Sequence, residues 1–204
     1  MRHTWVFAAV LFTASAAAAQ DDGRNSTGFH MHDGLYLRLQ LGGGYNQASA
    51  VGEDLAIKGA AAGFNFELGY AIVENLILFG RLGGTSVSSP DIELGGVTVE
   101  GTDDDVSSNF SGLGAGVTYY FMPVNVYVTS AITASNLSIT DDGDELADTD
   151  SGPALHLGVG KEWWVSRNWG IGVGAEVVVG RIRSEGEDDW NVTSGILFLS
   201  GTFN

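Results

Sequence analysis

Residues 169–182 of the chain are WGIGVGAEVVVGRI, and this stretch decides the fold. Apolar residues occupy every second position from Ile171 to Val179, and the positions between them hold Gly172, Gly174, Glu176 and Val178. Strict alternation over this length is typical of a β-strand that has two unlike faces. A single strand cannot decide whether its apolar face points to the core of a soluble β-sandwich or to membrane lipid.

Seven further segments show the same alternation, which predicts eight strands in all. They cover residues 34–45, 60–72, 76–87, 109–121, 124–137, 154–165 and 191–203. Segments of about ten alternating residues, repeated in this way, are typical of outer-membrane strands. The 30 glycines and only three prolines fit this fold better than a helical or a disordered chain.

The connections between these strands differ in length in a regular way. Tight turns are predicted at residues 73–75, 122–123 and 166–168. The other connections, at 48–58, 88–108, 138–152 and 183–190, are predicted to be long loops. Strict alternation of short and long connections is the arrangement of an up-and-down barrel, with short turns at the periplasmic end and long loops outside.

The charge is gathered at one end of this barrel. The chain has 25 acidic and nine basic residues, and its net charge of −16 makes a nucleic-acid partner unexpected. Of the 25 acids, 18 fall in the long connections. They are Glu53, Asp54, Asp91, Glu93, Glu100, Asp103, Asp104, Asp105, Asp141, Asp142, Asp144, Glu145, Asp148, Asp150, Glu185, Glu187, Asp188 and Asp189.

Aromatic residues concentrate at the opposite end, beside the short turns. Tyr and Trp settle at the membrane interface because each has an apolar ring and a polar tip. The predicted aromatic girdle consists of Tyr70, Tyr119, Phe121, Trp163, Trp169 and Phe203. Together with the loop lengths and the acidic rim, it favours a membrane barrel over a soluble periplasmic or secreted β-sandwich.

The N-terminus carries the features of an export signal. Arg2 and His3 precede an apolar run, and Ala17-Ala18-Ala19 forms a cleavage site. We therefore divide the chain into a signal peptide at 1–19, a short periplasmic tail at 20–33 and the barrel at 34–204. The chain has no cysteine, which excludes disulfides and thiolate metal sites.

The sequence resembles the OmpA/OmpX-type family of small outer-membrane β-barrels. The likeness lies in the alternating final strand that ends on Phe203, and in the segment from Gly160 to Gly170, which is similar to a hairpin of outer-membrane β-barrel domains. Asn204 after Phe203 departs from the family's terminal aromatic. The resemblance implies a location in the outer membrane and insertion by the barrel assembly machinery. It implies no particular activity, because members range from anchors to adhesins and small channels.

Four charged residues are predicted to face the barrel interior. Eight strands enclose just enough room for their own side chains, and charges there must pair because an unpaired buried charge is costly. Ile77 and Phe79 share the parity of Arg81, which leaves the facing of Arg81 open. This lumen charge cluster is either a static polar plug, which we favour, or a switchable gate. Its members are Arg38, Glu67, Arg81 and Glu176.

Other kinds of site receive less support. The acidic runs do not match the EF-hand spacing, so we expect no specific metal site, although divalent cations could bridge the rim to lipopolysaccharide. Only His156 is placed where a lipid-modifying enzyme would need its base, and no acid at i±2 shares its face. The interior glycines indicate packing against large side chains rather than a ligand cleft.

The sequence thus predicts an all-β, eight-stranded antiparallel up-and-down transmembrane β-barrel. We expect a monomer without cofactors or enzymatic activity. Its role would be structural or interactive at the cell surface, through the long acidic loops. The alternatives are a narrow channel or carrier for a small apolar molecule, and a lipid-modifying enzyme that uses His156.

Overall fold

A computed structural model of the protein describes residues 31–103, 105–142, 144–184 and 189–204. The signal peptide predicted at 1–19 and the first part of the tail, 20–30, lie outside the described residues. So do four of the rim acids, Asp104, Glu185, Glu187 and Asp188.

The described residues form eleven β-strands. No helix among them is long and apolar enough to cross a bilayer. The strands are β1 (Leu35–Ala50), β2 (Leu55–Val73), β3 (Leu76–Ser88), β4 (Asp91–Leu94), β5 (Val97–Val99), β6 (Val106–Phe121), β7 (Val126–Asp141), β8 (Asp144–Asp148), β9 (Gly152–Trp164), β10 (Trp169–Ile182) and β11 (Trp190–Phe203).

Eight of these strands close into a ring in the order β1-β11-β10-β9-β7-β6-β3-β2, and β2 pairs back onto β1. Leu41 of β1 marks the closure, because it lies opposite Phe64 of β2 on one side and Leu199 of β11 on the other. Every pairing in the ring is antiparallel. The predicted all-β, eight-stranded antiparallel barrel is confirmed.

The barrel is polar inside and apolar outside. Arg38 and Glu67 are completely buried, whereas Leu113 and Leu197, which face outward, are 66% and 70% exposed. A soluble sandwich buries its leucines, so the alternative of a soluble fold fails on this point. Arg81, Ile77 and Phe79 all face the interior, which answers the question of facing for Arg81.

The aromatic girdle residues lie on the outer wall at the short-turn end. Five of the six are exposed, and Phe203 is half-buried with its ring centroid 5.5 Å from that of Trp169. This contact is edge to face, and so is that between Tyr119 and Phe121, whose ring centroids lie 5.0 Å apart. The outer wall at this end therefore carries paired rings, the arrangement that a membrane interface favours.

The prediction of uniformly long loops at the other end is wrong. β1 runs to Ala50 and β2 begins at Leu55, so only residues 51–54 connect them, not 48–58. Within 88–108 the chain forms β4 and β5, and within 138–152 it forms β8. Strands that continue beyond the apolar wall pair with one another, so their backbone N–H and C=O groups form hydrogen bonds within the protein. In an unstructured loop the same groups would bond to water.

The β4–β5 hairpin has a local cause in the sequence. Gly95 and Gly96 both have positive φ, 59° and 79°, and Leu94 pairs with Val97 across them. Two central residues with positive φ form the tight hairpin turn that matches strand twist, and glycine adopts that conformation without strain. We call the part of the molecule formed by β4, β5, β8 and the neighbouring strand ends the extended end.

Candidate functional site

The four predicted lumen residues form one connected network of buried charges. Arg38 Nη2 lies 2.7 Å from Glu67 Oε2, and Arg38 Nε donates to the same oxygen at 2.9 Å. Arg81 Nη1 lies 3.7 Å from the other oxygen, Glu67 Oε1. The guanidinium carbon of Arg38 also lies 4.5 Å from the centroid of the Tyr127 ring, within range of a cation–π contact.

The ion pair between Arg81 and Glu176 spans the barrel. Arg81 Nη1 and Nη2 each donate to one carboxylate oxygen of Glu176 at 2.6 Å. Arg81 lies on β3 and Glu176 on β10, and three strands separate these two on either side of the ring. The pair is bidentate, and it crosses the interior at this level.

Sequence reasoning missed a fifth charged member, Glu162. Its side chain is buried, accepts a hydrogen bond from Thr202 Oγ1 at 2.7 Å and lies 4.0 Å from Arg38 Nη1. A signal was present, because Glu162 occupies the same alternate positions as Gly158 and Gly160, opposite the apolar Leu157 and Val159. Across the charged network the described carboxylates thus outnumber the guanidinium groups.

His156 joins the same network from β9. Its Nδ1 lies 3.2 Å from Glu176 Oε1, and its Nε2 lies 2.9 Å from Thr133 Oγ1. Because a carboxylate can only accept, Nδ1 carries the proton and, in the neutral ring, Nε2 accepts from the Thr133 hydroxyl. The acid partner missing at i±2 is therefore supplied by the neighbouring strand β10. Ser135 Oγ completes the chain at 2.7 Å from Thr133 Oγ1.

The interior glycines make room for large side chains. A Cβ at Gly160 would lie 2.4 Å from the ring of Tyr127, and one at Gly116 would lie 2.6 Å from Phe79. Such contacts are too close for any other residue to be accommodated without a shift of the ring. At these two positions the glycines pack against aromatic rings, and they leave no cleft there for an acyl chain.

His32 lies buried in the interior at the short-turn end. Its ring stacks on Tyr120 with 3.6 Å between centroids, and its Nε2 donates to Asn125 Oδ1 at 3.0 Å. The backbone of His32 is tied to Asn75, whose N–H donates to the His32 carbonyl at 2.9 Å. The sequence placed His32 in a polar tail. Instead its side chain is fully buried, because one face of the ring stacks on Tyr120 and one ring nitrogen pairs with Asn125.

The burial of His32 predicts a pH-dependent stability. Desolvation lowers the pKa of His32 from its ordinary value of 6.5, an effect that the hydrogen bond to Asn125 only partly offsets. The unfolded chain therefore binds a proton more readily than the folded barrel, and the free energy of unfolding should fall as the pH decreases through 6.5. Above that pH this contribution is fully present, and it is lost below the lowered pKa of the folded state.

Urea unfolding of the wild type and of His32→Phe, each between pH 4.5 and 8, measures this contribution. The phenylalanine keeps the ring on Tyr120 but cannot titrate, so the difference in stability between the two proteins should shrink as the pH falls. All other titratable groups, including His156, are present in both proteins, so their contributions cancel in the difference. A difference that stays constant over the whole range would contradict the assignment.

The extended end holds an apolar cluster and a cavity above it. Phe110, Ile182 and Val192 are buried across the interior there, and Trp190 packs against them. A cavity of about 320 Å³ lies on this cluster and is lined mainly by apolar side chains. Six of these are Leu55, Ile57, Ile92, Leu137, Ala147 and Trp190.

A second depression lies on the outer wall. It has a volume of about 560 Å³ and is bordered by Val159, Val173, Ala175 and Leu197 among others. These residues belong to the exposed apolar faces of β9, β10 and β11, so lipid chains would fill the depression in a membrane. We therefore assign it to the lipid-facing surface.

The acids of the extended end are mostly exposed. Lys58 pairs with Glu93, and Arg181 Nε lies 3.0 Å from Asp189 Oδ2. In the described part of the chain no group of three or more His, Asp or Glu side chains is arranged to hold a metal ion. A contact of divalent cations with the rim stays a prediction.

A family model described as "Outer membrane protein beta-barrel domain" matches residues 6–198. No curated protein matches the chain.

Several solved structures are similar to this one. The crystal structure of Neisserial surface protein A (NspA) has 16% identity and a TM-score of 0.58, over 84% of this chain and 97% of NspA. The solid-state NMR structure of AlkL in lipid bilayers has 13% identity and a TM-score of 0.49, over 88% and 93%. Ail, the attachment invasion locus protein of Yersinia pestis, has 15% identity and a TM-score of 0.47, over 84% and 99%. At these identities the likeness to NspA concerns the fold alone.

Proposed function

The chain belongs to the outer membrane protein beta-barrel domain family, and from this premise we propose that it is a closed membrane anchor that displays an acidic surface to partners outside the cell. The observation that carries the proposal is the ion pair between Arg81 and Glu176 across the barrel. A general porin needs an open path along its axis, and an eight-stranded barrel has little room beside such a pair.

Two further closures support the proposal. At the short-turn end His32 stacks on Tyr120, and at the extended end Phe110, Ile182 and Val192 meet in an apolar cluster. Between these levels lie the charged network and the chain of hydrogen bonds from Ser135 to Glu176. The interior is thus occupied by side chains at several heights, which suits a rigid anchor.

The charge of the extended end supports a role for its surface. Its described acids are Glu53, Asp54, Asp91, Glu93, Glu100, Asp103, Asp105, Asp141, Asp142, Asp144, Glu145, Asp148, Asp150 and Asp189. The few cations near them include Lys58 and Arg181, which are paired with two of these acids. Such a surface attracts cationic groups and repels anionic ones over about one Debye length, ~10 Å at 0.1 M salt.

We propose that the extended end faces outward and the short turns face the periplasm. Lipopolysaccharide surrounds the rim in this orientation, and divalent cations bridge its phosphates to the carboxylates. The barrel assembly machinery inserts the chain, and the barrel acts as a monomer.

We also propose that the protein is not an enzyme. Thr133, His156 and Glu176 have the order of a nucleophile, a base and an orienting acid, but all three are buried in the interior. Glu176 is engaged at the same time by both nitrogens of Arg81. A lipid substrate would have to reach Thr133 through the packed interior. Hydrolysis of lipid esters by the wild type that disappears in His156→Ala would refute this part.

Ion conductance in planar bilayers tests whether the barrel is closed. The wild type should show no steady current, and Arg81→Ser combined with Glu176→Ser should raise the conductance by removing the pair across the lumen. Lys58→Ser, which breaks the exposed pair with Glu93, is the matched control and should stay silent. A steady wild-type current as large as that of the double variant would refute a closed anchor.

Binding of poly-lysine to the barrel in lipid nanodiscs tests the surface role. Binding should be strong at low salt and should weaken when Asp142, Asp144 and Glu145 are changed to amides. The same change at Glu74, in a turn at the opposite end, is the control and should have no effect. Equal binding by the rim variant and the wild type would contradict the proposal.

A further inference from the structure

We infer that the depression on the outer wall is a binding site for an anionic phospholipid. An acyl chain of the lipid fills the depression, and the phosphate of the headgroup pairs with the ammonium of Lys161. The depression has a volume of about 560 Å³ and lies across β7, β9, β10 and β11. This site on the barrel wall goes beyond the proposed role of the extended end, and only the choice of membrane leaflet rests on the proposed orientation.

The depression exists because a small side chain stands among larger ones on the outer wall. Ala175 of β10 lies opposite Val159 of β9 and Leu197 of β11. Val173 stands next to it on the same face of β10. These three larger side chains are between 45% and 70% exposed, so they project around Ala175 and leave room above it. In a bilayer this room is filled by hydrocarbon, which suits an acyl chain.

Lys161 is the one charged residue among the described residues that line the depression. It lies between Val126 and Val173 on the outer wall, level with the start of β7 and therefore toward the short-turn end. Its Nζ donates to the Val124 carbonyl at 2.6 Å and lies 5.7 Å from the centroid of the Trp163 ring. Because Trp163 belongs to the aromatic girdle, the ammonium lies at the level of the membrane interface, where lipid phosphates are found.

The Lys161 ammonium has no acidic partner within the described part of the chain. At the extended end, by contrast, Lys58 and Arg181 are each paired with an acid. The bond to the Val124 carbonyl uses one of the three N–H donors of the ammonium and leaves its charge uncompensated. A lipid phosphate can accept from the other two donors. An anionic headgroup is favoured over a zwitterionic one, because it brings no positive charge of its own.

The charges around this end of β9 and β10 favour the same ligand. Arg167 is exposed in the turn that joins the two strands. Two acidic side chains are exposed at the described short-turn end, but Glu74 lies on the opposite side of the ring, and Asp33 precedes β1, which β11 separates from β10. In the proposed orientation this end meets the periplasmic leaflet, so the lipid is a glycerophospholipid and not lipopolysaccharide.

Native mass spectrometry of the folded barrel in a neutral detergent tests the site. Phosphatidylglycerol and phosphatidylcholine with the same acyl chains are added in equal amounts, and the lipid retained by the barrel is identified. The wild type should retain one phosphatidylglycerol with a preference of about fivefold, the effect expected of one lysine beside an anionic lipid. Lipopolysaccharide is added in a separate sample, and displacement of phosphatidylglycerol at equal concentration would overturn the assignment to a glycerophospholipid.

Substitutions of Lys161 test the role of its charge. Lys161→Gln should remove the preference for phosphatidylglycerol and leave the affinity for phosphatidylcholine unchanged, whereas Lys161→Arg should keep the preference. Lys58→Gln removes the same charge at the extended end and is the matched control, which should bind like the wild type. Equal affinities of the two lipids for the wild type, or a preference that survives in Lys161→Gln, would overturn the inference.

A second pair of variants tests the depression itself. Ala175→Trp fills it and should weaken the binding of both lipids. Ala115→Trp makes the same change on the outer wall of β6, three strands away in the ring, and should leave both affinities unchanged. Each variant is first checked for heat-modifiable migration in SDS gels, which reports the folded barrel. Equal lipid binding by Ala175→Trp and Ala115→Trp would show that the depression is not the site.

Discussion

Replacing Arg38 by methionine should lower the free energy of unfolding by about 3–5 kcal/mol, the range found when one partner of a buried ion pair is removed. Arg38 and its partner Glu67 are both wholly buried, 2.7 Å apart at their closest atoms. Without the guanidinium, the Glu67 carboxylate keeps only the longer contact with Arg81, at 3.7 Å, and the hydrogen bond from Tyr36 at 3.2 Å. Glu162 loses its nearest cation as well.

The size of the effect comes from the charges left behind, and a second variant isolates that cause. Replacing Arg38 and Glu67 together by methionine removes both members of the pair, and Arg81 keeps its two contacts with Glu176. We expect the double variant to be more stable than Arg38→Met alone. The packing of Arg38 on the Tyr127 ring is lost in both variants and does not contribute to the difference.

Urea unfolding in lipid vesicles, followed by tryptophan fluorescence, measures both variants against the wild type. Lys58→Met is the matched control, because the Lys58–Glu93 pair is exposed and exposed pairs contribute little to stability. If Arg38→Met and Lys58→Met lowered stability equally, the buried network would not be a structural element of the barrel.

Alternation predicted which residues line the interior, but it could not predict which of them meet. Arg38 and Glu67 follow the alternation of their strands, and their contact joins neighbouring strands. Arg81 and Glu176 lie on opposite sides of the ring, so their contact depends on how far each strand is shifted against the next. That shift is a property of the closed barrel.

Glu162 and His32 escaped the sequence analysis for local reasons. Around Glu162 the chain reads GKEWWV, where Lys161 points outward and donates to the Val124 carbonyl, so no clean alternation of apolar and polar residues remains. His32 precedes the first strand, where no periodicity exists to assign a facing. Its burial depends on Tyr120 and Asn125, which are distant in sequence.

The structure differs most from the prediction at the extended end, where strands replace the predicted loops. The sequence contains part of the pattern that indicates these strands. Gly95-Gly96 between Leu94 and Val97 is a recognised hairpin pattern, yet the acids around it favoured a solvated loop. In β8 the sequence DELAD has no apolar alternation to indicate a strand. β8 pairs with the end of β7 that continues beyond its pairing with β9, where the edge of β7 would otherwise be free.

Replacing Leu113 by arginine should lower the stability of the barrel in a bilayer by about 2–4 kcal/mol, whereas the same change at Val97 should cost little. The two side chains are equally exposed, 66% each. Leu113 lies in the middle of β6, between Leu82 and Ala134 of the neighbouring strands on the outer wall. Val97 lies in β5, which pairs with β4 outside the ring.

The difference between the two positions comes from the solvent and not from packing. An arginine at position 113 would place its charge in hydrocarbon, where hydration is lost, while one at position 97 would meet water and the acids of the extended end. Unfolding of each variant in vesicles gives the two costs, and Leu146→Arg in β8, at 63% exposure, repeats the control on another strand. Equal losses at Leu113 and Val97 would mean that the β4–β5 hairpin lies in the membrane. A large loss at Leu113 alone places the acidic extended end in water, where a charged surface can meet its partners.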